Sequence, residues 1–446
     1  MKRGGILSTF CAGLALAGAA PALAAMDLVQ SYELAKNNDA DLLAARAMAD
    51  AAGEAEPLAL SQMLPSVTAS ASFFDNRLDS TTRNTARYDE YPSQSVALTL
   101  RQPIFRPALI YNLRQARAQV RGVDSELASA EQEGILRLAT AYFAVSQARF
   151  ELSATSTQID NLEIQLAGAK VAMSVGIGVR TDVDDIQAKL DLVRAKKLQA
   201  EQRLDLAGMA LRNMVGEQEI VTLDLSADRM RLEPIGSASL EDWLDKARAN
   251  NPALAAARAK VAVADNETKK AFANRMPVVD GVIQRATSKS DNVTNPDYRY
   301  TNRQIGIQIS VPLYQGGYFQ SKERQSLAQL REAQAQELSA DRRLSALVRE
   351  SYFAVQSGIA RIKALEAASK STEEAVFSNS KGIQAGTRSK IELLNAIQAQ
   401  AETSMELNRA RIEYVLVRLR LLALAGELDQ SDLTEVNDWL SKPADR

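Results

Sequence analysis

The sequence predicts a mainly α-helical chain with a membrane β-barrel portion, in which long antiparallel coiled-coil helices carry four transmembrane strands per protomer, the whole built as an internal duplication. Three observations predict it. The chain repeats itself: residues 38–47 lie over residues 250–259, an offset of 250 minus 38, or 212, and Pro65 lies over Pro277. Further on, Pro103-Ile104-Phe105 lies over Pro312-Leu313-Tyr314, and Tyr142-Phe143-Ala144-Val145 over Tyr352-Phe353-Ala354-Val355. Within each copy the hydrophobic period changes from that of a helix to that of a strand and back. Finally, residues 108–176 contain no proline. As one helix that run extends about 100 Å, more than a globular domain needs.

Taken in order, residues 1–24 read as a secretory signal. Lys2 and Arg3 precede an apolar stretch, residues 6–20, and Ala22-Leu23-Ala24 supplies a cleavage site. The stretch is too short and too rich in Gly and Ala for a spanning helix. A lipid anchor on Cys11 is the lesser alternative, because Phe10 stands where a small residue is expected. The first structural repeat, residues 25–236, opens with a helix over 27–56. Residues 66–73 then alternate strictly, with Val67, Ala69, Ala71 and Phe73 on one face and Ser66, Thr68, Ser70 and Ser72 on the other. Val96, Leu98 and Leu100 continue the pattern before Pro103. The intervening residues 75–92 are expected to be a polar loop whose Tyr88 and Tyr91 suit a headgroup interface. Over 108–176, Val145, Leu152, Ile159, Leu162 and Leu166 form a heptad seam, and Ile186, Leu190, Val193, Leu204 and Leu211 keep it in a return helix over 181–214.

The second repeat, residues 237–430, has the same plan. A helix over 240–275 leads to a strand over 278–286, made irregular by Asp280 and Arg285 on opposite faces. A polar loop is expected over 291–303, with Tyr298 and Tyr300. Residues 304–311 then set Ile305, Ile307, Ile309 and Val311 against Gln304, Gly306, Gln308 and Ser310. Ile391, Leu394, Ala401, Met405, Ile412, Val415, Leu419 and Leu422 mark the final heptad helix, over 389–426. Residues 431–446 are left as a C-terminal tail. The half-length helices can stack end to end beside each long one, with strands at one end of the rod and the turns 176–181 and 386–389 at the other.

Each alternating run is about 9–11 residues, the length of a tilted membrane strand. Periodicity alone favours a half-buried strand in a soluble sandwich, because the signal is weak per segment; export and the adjoining helices turn the balance toward the membrane. Four strands cannot close a barrel, and an open edge in lipid leaves backbone groups unsatisfied. Two copies give eight strands and a filled interior, whereas three give twelve and a lumen. The chain is expected to assemble as a homotrimer in contact with outer-membrane lipid.

Composition excludes whole mechanisms. The chain has no histidine, and its single cysteine leaves with the signal, so thiolate or imidazole metal sites, disulfides and Ser/His/Asp triads are ruled out and no cofactor is expected. A formal charge of −2 gives no footprint for nucleic acid. Aromatic residues at 5% undersupply large globular cores. No G-x-x-x-x-G-K-[S/T] motif occurs, so energy would come from a partner. Asp182, Asp184 and Asp185 diverge around a helix and make a poor enzyme site.

Leu98-Thr99-Leu100-Arg101-Gln102-Pro103, Val311-Pro312-Leu313-Tyr314-Gln315-Gly316-Gly317, Tyr352-Phe353-Ala354-Val355 and Arg418-Leu419-Arg420-Leu421-Leu422 ahead of Ala425-Gly426 together resemble the TolC-like outer-membrane efflux and secretion channels, in particular the type I secretion branch that exports proteases and adhesins. The resemblance spans nearly the whole mature chain. It implies a trimeric twelve-strand barrel and a periplasmic α-helical tunnel, joined by a periplasmic adaptor (a membrane fusion protein) to an inner-membrane ABC transporter. By the same resemblance, Val175, Gly176 and Ile177, with Ala385, Gly386 and Thr387, are adaptor-docking turns. Asp182 and Arg388 stand where polar links between protomers hold the tunnel entrance shut, and Glu392 where an acidic ring faces the lumen. Asn395 departs from the family, which often has a second acid there, so strong cation selectivity is not expected. Read from the residues alone, Asp182 is a helix-start carboxylate and Arg388 a solvated cation. The outer-membrane channel of a multidrug efflux pump remains the alternative to protein export. A periplasmic adaptor would need globular β-rich domains that no segment supplies.

Overall fold

The computed structural model describes residues 26–82, 85–216, 220–233, 239–292 and 295–441. The expected signal, residues 1–24, lies outside them. Among the described residues no helix is long and apolar enough to cross a membrane.

Each repeat opens on a helix that breaks early. α1 (Leu28–Asn38) is capped at Asp27, whose side chain and Gln30 form a reciprocal capping box, and a single residue separates it from α2 (Ala40–Gly53). The break is Asp39, extended at φ −66°, ψ 110°, with its carboxylate accepting from the Asp41 N–H. A further turn, α3 (Ala55–Ser61), leads into the sheet. The sequence reading of one helix over 27–56 is thus corrected: a residue that can cap a new helix stops the old one.

β1 (Ser66–Thr82) and β2 (Thr85–Phe105) form an antiparallel hairpin in register from Ser66↔Arg101 to Thr82↔Thr85. The described residues of the expected polar loop over 75–92, residues 75–82 and 85–92, are therefore strand. Their side chains are polar but cross-strand complementary, Arg77 facing Glu90 at 2.5 Å, and pairing satisfies backbone groups whether or not the faces are apolar. α4 (Pro107–Ser174) is the unbroken long helix, its N-terminal proline supplying the fixed φ that suits a first turn. It returns as α5 (Arg180–Val215). A short strand, β3 (Asp224–Leu225), follows.

The second repeat copies the first. α6 (Leu240–Asn250) breaks at Asn251, φ −62°, ψ 121°, and α7 (Pro252–Ala273) resumes with Pro252 at its first position. At both breaks an arginine ten residues along closes the gap: Arg46 donates to the Lys36 carbonyl at 2.8 Å, and Arg258 to the Arg248 carbonyl at 3.0 Å. β4 (Val278–Asn292) and β5 (Asn295–Ser310) extend through most of the second expected loop, and the sheet order is β1-β2-β4-β5, all antiparallel. α8 (Tyr318–Gln384) and α9 (Lys390–Ala425) complete the rod. The C-terminal segment is docked where a tail was expected: α10 (Gln430–Asp438) and β6 (Leu440–Ser441) pack down, with β6 pairing β3 and Leu433, Val436, Trp439 and Leu440 buried.

One main core lies midway along the rod, where Tyr142, Phe143, Leu211, Trp243, Leu244, Tyr414 and Leu419 meet that docked segment. Tyr142 is fully buried; its hydroxyl donates to the Met26 carbonyl at 3.0 Å and accepts from the Leu223 N–H at 2.8 Å, while burial pushes the phenol's pKa up. A second core, Leu162, Leu166, Ala169, Ile186, Leu190, Val193 and Leu394, lies toward the turns and joins α4, α5 and α9. α5 ends against α1, where Asn38 donates to the Val215 carbonyl at 2.9 Å. That is the end-to-end stacking expected from the helix lengths.

At the other end, strand and helix are joined by a buried carboxylate. Asp280, its side chain 3% exposed, accepts from Arg101 at 2.5 Å and from Arg106 at 2.7 Å. These groups lie where β2 is bulged between Pro103 and Phe105, just before α4.

Candidate functional site

The turns joining α4 to α5 and α8 to α9 close alike. After α4, Gly176 takes φ +79°, which a Cβ would strain; its N–H donates to the Met173 carbonyl at 3.2 Å and the Ile177 N–H to the Ala172 carbonyl at 3.0 Å. After α8, Gly386 takes φ +73°, with its N–H on Ile383 at 3.0 Å and the Thr387 N–H on Gly382 at 2.9 Å. Both are Schellman closures, in which two otherwise orphaned carbonyls are satisfied and the chain reverses. A Cβ built on Gly176 or Gly386 meets nothing within 4 Å.

The first turn is apolar and bare: Val175 is 63% exposed and Ile177 84%. The second is more polar, Ala385 and Thr387 being exposed and the Thr387 hydroxyl donating to the Gly382 carbonyl at 3.2 Å. The structure therefore places all six of Val175, Gly176, Ile177, Ala385, Gly386 and Thr387 at the rod end remote from the sheet.

Of the four residues expected at the entrance, Asp182, Arg388, Glu392 and Asn395, one protomer brings only Arg388 and Glu392 into contact. Arg388 is paired along its own helix with Glu392 at 3.1 Å. Glu392 also closes a capping box with Ser389, accepting from the Ser389 N–H at 2.8 Å. That N–H first, and then the Arg388 guanidinium, hold the Glu392 carboxyl below the usual carboxylate range. Asp182 lies in the first turn of α5, where a carboxylate suits the helix dipole, beside the exposed pair Arg180–Asp184 at 3.7 Å. Asn395 accepts from Lys189 of α5 at 3.1 Å. Sequence reasoning missed Lys189 because its place opposite Asn395 follows from the packing of α5 on α9. Ser389 it could have found, since Ser389-x-x-Glu392 has capping-box spacing. Among the described residues no cluster could hold a metal ion.

Comparison with known proteins completes the description. A model of the family described as "Outer membrane efflux protein" matches residues 31–217 and 243–427, one match to each repeat. The chain is 30% identical to the alkaline protease secretion protein AprF of Pseudomonas aeruginosa, over 92% of this chain and 86% of that protein. It is also 30% identical to the outer membrane protein TolC of Vibrio cholerae, over 96% of both. The proteases secretion protein PrtF of Dickeya chrysanthemi is 28% identical over 98% of this chain and 96% of its own length. Among solved structures, CusC superposes with a TM-score of 0.78 at 16% identity, covering 91% of this chain and 93% of that one. VceC of Vibrio cholerae gives 0.75 at 17%, covering 90% and 96%. At those identities the structures establish the fold, and the sequence matches establish the kinship. The chain belongs to the outer membrane efflux protein family, the TolC-like outer-membrane channels, and is not an enzyme.

Proposed function

We propose that this channel is the passive outer-membrane exit duct of a type I secretion system. Three protomers would close a twelve-strand barrel, continue it as a helical tunnel in the periplasm, and receive a polypeptide from an inner-membrane ABC transporter through a periplasmic adaptor. The observation that carries the reading is the pair of matching turns at the far end of the rod, with Val175 and Ile177 exposed and no core beneath them. Apolar side chains presented at the tip of a hundred-ångström-scale rod are a contact for another protein. The similarity to AprF and PrtF, both named for protease secretion, favours a polypeptide as cargo. The family description, outer membrane efflux protein, supports efflux as a second reading. In either, Asp182 and Arg388 would link protomers at the entrance while Glu392 and Asn395 face the passage.

Replacing Gly176 and Gly386 together by Glu puts bulk and charge on both turns without touching a core, so the trimer should persist while adaptor docking fails. The secreted proteome of a deletion strain and of the double variant is compared with a panel of drug susceptibilities. Loss of one or more secreted proteins is expected in both. If every secreted protein persists while drug sensitivity rises, efflux replaces secretion as the function.

A further inference from the structure

The four strands present two chemically distinct faces. Toward one face point Thr68, Thr99, Gln284 and Gln304, a single rung across the sheet, with Ser70, Ala97, Ala286 and Asn302 in the next. Toward the other point Val67, Leu100, Ile283 and Ile305, an aliphatic rung suited to lipid. The rung directly above, away from the helices, breaks that pattern. It reads Ala69, Leu98, Arg285, Arg303, so two arginines stand opposite each other on the lipid face of the second hairpin. Two rungs higher, Lys289 stands opposite Arg299.

Like charges directly across an antiparallel pair repel and destabilise it. The first hairpin avoids this, setting Arg77 against Glu90 at 2.5 Å. In the second, Lys289 reaches Asp297 at 3.2 Å, but Arg285 and Arg303 are exposed and have no carboxylate partner among the described residues. Below them lies a shallow groove floored by Val67, Leu98, Leu100, Ile283 and Ile305 and rimmed by the two guanidinium-bearing chains.

We propose that Arg285 and Arg303 form a binding site for the phosphate of an outer-leaflet glycolipid, with an acyl chain lying in the groove beneath. The inference rests on the barrel's location in the outer membrane. The geometry fits such a ligand at three points. The strands join the helices at one end and turn at the other, so rungs remote from the helices lie toward the outer leaflet. Strand tilt carries each rung obliquely across the bilayer, setting the β4–β5 cations at the upper edge of an apolar band that β5 continues downward through Ile307 and Ile309. Arginine stems can lie along apolar surface while their heads reach an interface, and two adjacent guanidinium groups match the oxygens of one phosphate. A phosphate between them converts repulsion into two charge-assisted contacts.

The test uses the purified trimer in nanodiscs of phosphatidylcholine, doped with lipid A bearing both phosphates or with the same lipid dephosphorylated, and counts retained lipid by native mass spectrometry. Wild type should prefer the phosphorylated form by about tenfold or more. Arg285→Gln/Arg303→Gln should lose that preference, and Arg77→Gln should keep it. Equal retention of the two lipids by wild type, or an undiminished preference in the double variant, overturns the site. So does displacement of the lipid by inorganic phosphate at matched concentration, which would make it a free-anion site. A double variant that falls to protomers assigns the arginines to the seam between subunits, again against the proposal. The barrel's location is read separately, by density-gradient fractionation of the wild-type strain, and does not depend on the lipid result.

Discussion

Ser389 and Glu392 fix the start of α9 through five groups: the Ser389 hydroxyl and N–H, the Glu392 N–H and carboxylate, and the neighbouring guanidinium of Arg388. The Glu392 carboxyl titrates below its unfolded value because the Ser389 N–H and Arg388 favour the charged form. Its contribution is therefore complete above the ordinary glutamate range of about pH 4.3 and is lost as pH falls through the depressed value. Amide exchange over residues 390–393, corrected for intrinsic rates, should accelerate on acidification below about pH 4. Ser389→Ala should accelerate it at every pH, in line with the ~1 kcal/mol typical of a lost N-cap. Protection that ignores both changes would leave helix packing, rather than the cap, as what holds the turn. At the opposite end Asp280 is a buried carboxylate held between two arginines, and removing it leaves both cations facing each other. Asp280→Ala is expected to cost about 3 kcal/mol, toward the low end for breaking a buried pair because Arg101 is half exposed. Asp280→Asn should cost less. The temperature at which the trimer dissociates in detergent reads both.

The elements were legible where a face is apolar and obscure where it is not. Val67, Ala69 and Ala71, or Ile305, Ile307 and Ile309, announce a strand by period alone, but the extensions beyond Phe73 depend on Arg77 meeting Glu90, a match that exists only once the register is known. The helix breaks were readable in principle. Asn251-Pro252 is a cap followed by a first-turn proline, yet the apolar period runs on across it and concealed the stop. Leu433, Val436 and Leu440 are too few and too close to the end to declare that they return to the core. The two C-terminal helix caps offer a test of how tightly the repeats are joined. Gly216 and Gly426 both take positive φ, but a Cβ on Gly216 would meet the Asn38 side chain at 3.0 Å, whereas on Gly426 it would stand 2.4 Å from the Asn250 carbonyl oxygen. A side chain can move and a backbone carbonyl at a helix break cannot readily do so. Gly216→Ala should lower trimer stability by about 1 kcal/mol, the left-handed penalty, and Gly426→Ala by clearly more. Equal losses in thermal dissociation would mean that the α6–α7 break yields to accommodate the methyl.

At the scale of the whole channel, the proposed entrance link sets a bond between protomers against one within a helix. Within a protomer Arg388 is committed to Glu392 at 3.1 Å, an exposed pair along one helix that contributes little by itself. Asp182, on the neighbouring turn, is not reached by it. If the closed entrance is held by a link across the protomer boundary between Arg388 and Asp182, the two carboxylates compete for one guanidinium, and closure is a choice between a bond within a helix and a bond between subunits. Removing the competitor should then tighten the entrance. Glu392→Gln is expected to lower the open probability in planar bilayers, while Asp182→Ala and Arg388→Ala raise it. The double variant Asp182→Ala/Arg388→Ala should be no more open than either single one, a coupling of at least about 0.5 kcal/mol. Lys189, held against Asn395 at 3.1 Å, reports on a different contact, and its replacement by Met should shift ion selectivity toward cations without changing open probability. If Asp182→Ala and Arg388→Ala act additively, or leave conductance and closing unchanged, Arg388 serves only to support the start of α9 and the entrance is held by the packing of Leu162, Ile186, Leu190 and Leu394.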